Sequence, residues 1–73
     1  MKVIEYSFKI LDKRGNEIVG GTITENKYNE VINSENITLK QEWKTKYEDS
    51  TLYGKQYKNE DGYTLFVWKE VFR

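Results

Sequence analysis

Tyr63-Thr64-Leu65-Phe66-Val67-Trp68-Lys69-Glu70-Val71-Phe72 is the stretch that decides the fold. Its β-branched and aromatic residues predict a β-strand. Both faces of that strand are apolar: one carries Tyr63, Leu65, Val67 and Val71, the other Phe66, Trp68 and Phe72. A small sheet needs one apolar face to build a core. The second face is a surplus that calls for an explanation.

Immediately upstream, Asn59-Glu60-Asp61-Gly62 carries the Asp-Gly signature of a hairpin turn, which makes residues 51–58 the partner strand. A loop of two or four residues puts odd positions of the first strand beside even positions of the second. Tyr53, Lys55 and Tyr57 are then expected on one surface with Phe66, Trp68 and Phe72. Leu52, Gly54 and Gln56 are expected with Leu65, Val67 and Val71. A bulge would break this parity.

Farther out, residues 3–11 alternate, with Ile4, Tyr6, Phe8 and Ile10 on one side and Glu5, Ser7 and Lys9 on the other, as in a half-buried strand. Asp12-Lys13-Arg14-Gly15 reads as a turn, and a second strand follows over about 17–24. An even loop would set Phe8 opposite Val19, Tyr6 opposite Gly21 and Ile4 opposite Ile23, with Gly20-Gly21 making room for the Tyr6 ring or forming a bulge. Tyr28, Val31 and Ile32 have helical spacing within residues 26–34, with Asn26 as the expected N-cap. So short a helix survives only by docking on a sheet. In residues 36–44, Ile37, Leu39 and Trp43 share a face opposite Thr38, Lys40, Glu42 and Lys44. Residues 45–50 form a polar connection.

The expected architecture is a single α+β domain over residues 1–73. It is a small, mainly antiparallel sheet in the order ββαβββ, with one short helix packed on one face. A small, partly open β-barrel is the alternative. Ile4, Phe8, Ile10, Val19, Val31, Ile32, Ile37, Leu39, Leu65 and Val67, with Ile23, would supply the core.

Composition removes whole classes of function. The chain has no cysteine and no histidine, so disulfides, thiolate metal sites and the commonest general base are absent. Twelve basic and twelve acidic residues cancel, which argues against a strongly basic nucleic-acid binder. No apolar run is long enough for a membrane span. Charge near the start opposes a signal peptide, so a cytoplasmic location is expected. The Asn36-Ile37-Thr38 sequon is then a chance match.

Catalysis is not expected. Glu48-Asp49 and Glu60-Asp61 are acidic pairs in predicted loops and read as solvated turns. Ser7, Ser34 and Ser50 have no histidine to activate them. The acidic loops lack the spacing of a calcium-binding loop. No cofactor or metal is implied.

Three readings compete for the surplus aromatics. They pack into the core, with Leu65 and Val67 turned outward or the hairpin curled. They form a protein-binding surface, since Tyr, Trp and Phe bury much area with few rotors. Or they stack single-stranded nucleic acid, with Lys55, Lys58, Lys40, Lys44 and Lys46 meeting phosphates. No nucleic-acid-binding sequence signature accompanies the third.

The chain is rich in Lys, Asn, Glu and Tyr, and in this it resembles short proteins of phages and mobile elements from AT-rich bacteria. Many of those bind and block a host protein, nuclease-inhibiting anti-CRISPR types among them. The resemblance implies an inhibitor acting by stoichiometric occlusion. The expected function is therefore a non-catalytic protein-binding module, whose partner is another protein or, by self-association, another copy of the chain. Its expected partner-binding residues are Tyr53, Lys55, Tyr57, Phe66, Trp68 and Phe72. Single-stranded nucleic-acid binding is the alternative.

Overall fold

A computed structural model describes residues 3–73. Its elements are β1 (Ile4–Leu11), β2 (Glu17–Ile23), α1 (Glu25–Ile32), β3 (Ile37–Lys46), β4 (Ser50–Asn59) and β5 (Thr64–Phe72). The five strands form one antiparallel sheet in the order β2-β1-β5-β4-β3. This is the expected α+β fold in the order ββαβββ. The sheet is open, with β2 and β3 as its edges, so the barrel alternative does not apply. The chain leaves one edge at β2 and returns at the other through α1, which packs on one face of the sheet.

That face is built from alternate residues aligned across the strands. Phe8 pairs with Val67, Ile10 with Leu65, and Leu65 in turn with Tyr57. Val67 is fully buried, and Tyr57 and Tyr28 are nearly so. Around them pack Tyr6, Phe8, Ile23, Val31, Ile32, Ile37 and Leu65. Tyr28 docks the helix, its ring centroid 4.9 Å from that of Tyr6. Burial raises the Tyr28 phenol above its ordinary pKa, with the neighbouring Tyr57, Tyr6 and Glu42 adding to the shift, so the ring sits in the core as a neutral group. Leu39 points to the same face but stays exposed, as does Val19 on the β2 edge.

Thr24 caps α1, accepting a hydrogen bond from the Lys27 amide at 3.1 Å. The sequence pointed to Asn26. Thr24 wins because its extended backbone (φ −78°, ψ 161°) aims the hydroxyl at the first turn, whereas Asn26 already lies inside the helix.

Of the three hairpin loops, those of β1–β2 and β4–β5 share one construction, and it alters the expected register. In Asn59–Tyr63, the Gly62 amide donates to the Asn59 carbonyl at 3.2 Å and the Asn59 amide to the Tyr63 carbonyl at 3.1 Å. The Asn59 side-chain oxygen accepts from the Asp61 and Tyr63 amides at 3.0 and 2.9 Å. Gly62 takes φ +86°, which only glycine adopts freely. Three residues therefore lie between the closing pair, an odd number, and the parity is reversed. Odd residues of β4 face odd residues of β5 from Lys58↔Thr64 to Ser50↔Phe72.

Asp12–Asn16 repeats the arrangement. Its carboxylate accepts from the Arg14 and Asn16 amides at 2.9 Å each, and Gly15 takes φ +87°. Here a second irregularity follows at once, between Ile10 and Leu11 on β1, and it restores the parity. Phe8 consequently faces Gly21, Tyr6 faces Ile23 and Ile10 faces Val19, a shift of two from the expected register. The glycine pair therefore lies beside Phe8 and Lys9. A Cβ at Gly20 would come within 3.1 Å of the Phe8 carbonyl oxygen, so the glycine serves close approach of the backbones.

A third irregularity lies in β3. The register against β4 shifts between Leu39↔Tyr57 and Gln41↔Gln56, leaving Lys40 as the extra residue. Ile37 and Leu39 remain on the helix face, and Trp43 turns to the opposite one.

The two loops make opposite predictions under acid. Backbone hydrogen bonds, that from Asn16 foremost, hold the Asp12 carboxyl below its ordinary value of 3.8. A lowered folded-state pKa gives stability that is present above the unfolded value and lost as pH falls through the folded one. Asp12→Asn, which copies Asn59, is expected to keep the loop while flattening the loss of urea stability as pH falls through and below the ordinary value of 3.8. Gly62→Ala is expected to cost about 1 kcal/mol at every pH, because it places a Cβ in the left-handed region.

Candidate functional site

The side of the sheet away from α1 carries Trp43 from β3, Leu52 from β4, Phe66, Trp68 and Phe72 from β5, and Leu11 from β1. No element of the described chain lies over it. Each of these side chains is half-buried, sheltered only by its neighbours in the same layer.

The centre of this face is one row across the sheet. Trp43 pairs with Gly54, Gly54 with Trp68, and Trp68 with Ser7. The missing side chain at Gly54 is what shapes the row. A Cβ built there would fall inside the Trp43 indole, so the ring lies across β4. It reaches Phe66 on β5 edge-on, with centroids 6.0 Å apart and planes at 68°. This geometry suits the quadrupoles of two aromatic rings. Lys9, directly opposite Phe66 on β1, holds its ammonium 5.3 Å from the Phe66 ring centre.

Polar groups flank the central row on both sides. Glu5 and Glu70 stand opposite each other between the Trp68 row and Phe72, and the Ser50 hydroxyl donates to Glu70 Oε2 at 2.6 Å. Next to Phe72, Arg73 ties down the β3–β4 loop. Its guanidinium donates to the Tyr47 and Glu48 carbonyls at 2.6 and 2.7 Å and to the Thr51 hydroxyl at 3.0 Å. The other side of the row carries Lys9 and Lys58, the latter opposite the buried Thr64.

The expected binding set is split by the odd hairpin loop. Phe66, Trp68 and Phe72 lie on the uncovered face. Tyr53, Lys55 and Tyr57 lie on the helix face, a correction that follows from the register at Gly62. Tyr57 is core. Lys55 pairs with Glu42 at 3.5 Å. Tyr53 is held between the ammonium groups of Lys44 and Lys69, 5.6 and 5.5 Å from its ring centre. Leu52 and Gly54, assigned to the core side, instead belong to the uncovered face. Trp43 was placed with Ile37 and Leu39, yet it is a central member of this surface. The sequence does contain a signal for it, because a glycine inside a strand marks a close approach by a large neighbour.

The same split divides the lysine set proposed for phosphates. Lys44, Lys46 and Lys55 share the helix face with Tyr53. Of the five lysines, Lys58 is the one whose register puts it beside Phe66 and Trp68. Among the described residues no group of three or more acidic, histidine or cysteine side chains could hold a metal ion. No helix among them is long and apolar enough to cross a membrane.

Neither a protein-family model, nor a curated protein, nor a solved structure matches this chain.

Gly54→Ala is expected to lever the Trp43 ring off Phe66 and destabilise the fold by roughly 1–3 kcal/mol, the usual penalty for overpacking. Loss of urea stability together with a red shift of tryptophan emission checks it. An unchanged spectrum would mean that the indole does not rest on Gly54.

Proposed function

We propose that this chain is a non-catalytic protein-binding module, and that the face carrying Trp43, Phe66, Trp68 and Phe72 is its contact surface. The observation that supports this is the aromatic row itself, continuous across three strands and covered by no part of the described chain. Rigid aromatic side chains bury large area on association at small entropic cost, which is why they anchor interfaces. Lys9, Lys58, Glu5 and Glu70 lie among and beside them on the same face, suited to orienting a partner more than to supplying affinity.

In its finer form the proposal makes the chain an inhibitor that occludes a host protein such as a nuclease, as the compositional resemblance to phage proteins implies. Occlusion needs a rigid surface and no reactive group, which agrees with an aromatic face on a sheet. Nucleic-acid binding is less well supported. A stacking platform needs lysines on the same face as its aromatics, and most of the candidate lysines are on the other side.

Chemical cross-linking in a native lysate, read by mass spectrometry, tests the assignment. Adducts containing this chain joined to another protein or to another copy are expected. They should disappear in Trp68→Ala and in Phe66→Ala while circular dichroism shows both variants folded. Adducts that persist in both folded variants would remove the face from consideration. Fluorescent single-stranded oligonucleotides are expected not to bind even at low salt, where phosphate contacts are strongest.

A further inference from the structure

Resting on the protein-binding reading above, we infer that the partner on the aromatic face is a second copy of this chain, stacked face to face about a two-fold axis that runs across the strands.

The exposed area points to it. The chain presents 5479 Å² of accessible surface, whereas a compact monomer of 8.8 kDa is expected to present about 4,800 Å². The surplus of roughly 700 Å² is a property of the whole chain, to which the half-buried rings of the aromatic face contribute. The interior is correspondingly thin, for Tyr28, Tyr57 and Val67 are the only buried hydrophobic side chains among the described residues, and of these Val67 alone is fully buried. A second sheet about 10 Å above the first would turn the half-buried aromatics into the interior of a sandwich.

The charges choose the axis. Glu5 and Glu70 lie one row to one side of the row Trp43–Gly54–Trp68–Ser7, with Ser50 and Phe72 beyond them, and Lys9 lies one row and Lys58 two rows to the other side. A two-fold axis along the strands would stack acidic side on acidic side. An axis across the strands, through the row Trp43–Gly54–Trp68–Ser7, exchanges the sides. Glu5 and Lys9 lie two residues to either side of Ser7 on β1, so this axis places Glu5 of each copy over Lys9 of the other. It also sets the two Trp43–Trp68 rows against each other at the centre. The contact is isologous, so it closes as a dimer and does not propagate.

Sedimentation equilibrium from micromolar to submillimolar concentration tests the inference. The wild-type chain is expected to sediment at about twice its monomer mass. Glu5→Lys and Lys9→Glu, each placing like charges together twice per dimer, are expected to weaken association by about tenfold or more. The double variant, which swaps the charges, is expected to recover most of the loss. A wild-type chain that stays monomeric throughout overturns the dimer and leaves binding to a different protein standing. A dimer indifferent to both single reversals overturns the stacked arrangement, as pairing through the β2 edge would give. A dimer that also survives Trp68→Ala and Phe66→Ala in folded variants removes the aromatic face as the contact between copies.

Discussion

At Asn59–Tyr63 the chain turns through three residues because Gly62 can hold φ +86° and the Asn59 side chain can accept two amides. Side chains in a strand alternate strictly, so one residue more or less in that loop exchanges the two faces of one strand relative to the other. With the odd loop, Tyr57 meets Leu65 and joins the core, and Gly54 meets Trp68 on the opposite side. No later irregularity in this hairpin undoes the exchange. Both the core under the helix and the aromatic face opposite it follow from this turn.

A sheet so arranged has more apolar surface than one short helix can cover. The eight residues of α1 extend about 12 Å, and five strands extend about 19 Å across. Tyr28 fixes the helix over Tyr6 and the central strands, which buries Val67 and Tyr57 and leaves the reverse of β5 without a lid. The chain partly compensates within the layer. Trp43 lies over Gly54 to reach Phe66, and Lys9 lays its ammonium on the Phe66 ring. Such contacts shelter edges but do not exclude water from the outer faces of the rings. Covering those outer faces would remove further apolar area from water.

The split of the aromatics also separates two kinds of chemistry that appeared adjacent in the sequence. Tyr53 with Lys44 and Lys69, and Lys55 with Glu42, form a solvated cation–π and ion-pair cluster on the helix face. Lysines engaged in this way satisfy the sheet's own rings and carboxylates. The face with Phe66 and Trp68 keeps an aromatic row at its centre, with Glu5 and Glu70 on one side of it and Lys9 and Lys58 on the other.

Period-two alternation in Ile4–Ile10 and Leu65–Val71, the helical spacing of Tyr28, Val31 and Ile32, and the glycine turns were enough to determine ββαβββ and most of the core, because these patterns are local and each has one period. The surplus of aromatics on Phe66, Trp68 and Phe72 was legible for the same reason. What they share a face with was not. That depends on parity, and parity changed by one residue in the Gly62 loop, between Ile10 and Leu11 against β2, and at Lys40, where the energy of a turn or bulge depends on both paired strands. Trp43 left the core side and Tyr53 and Tyr57 left the binding side for that reason alone. Sequence determined which residues are apolar and in what rhythm; the hydrogen-bonded registers between strands decided which of them meet.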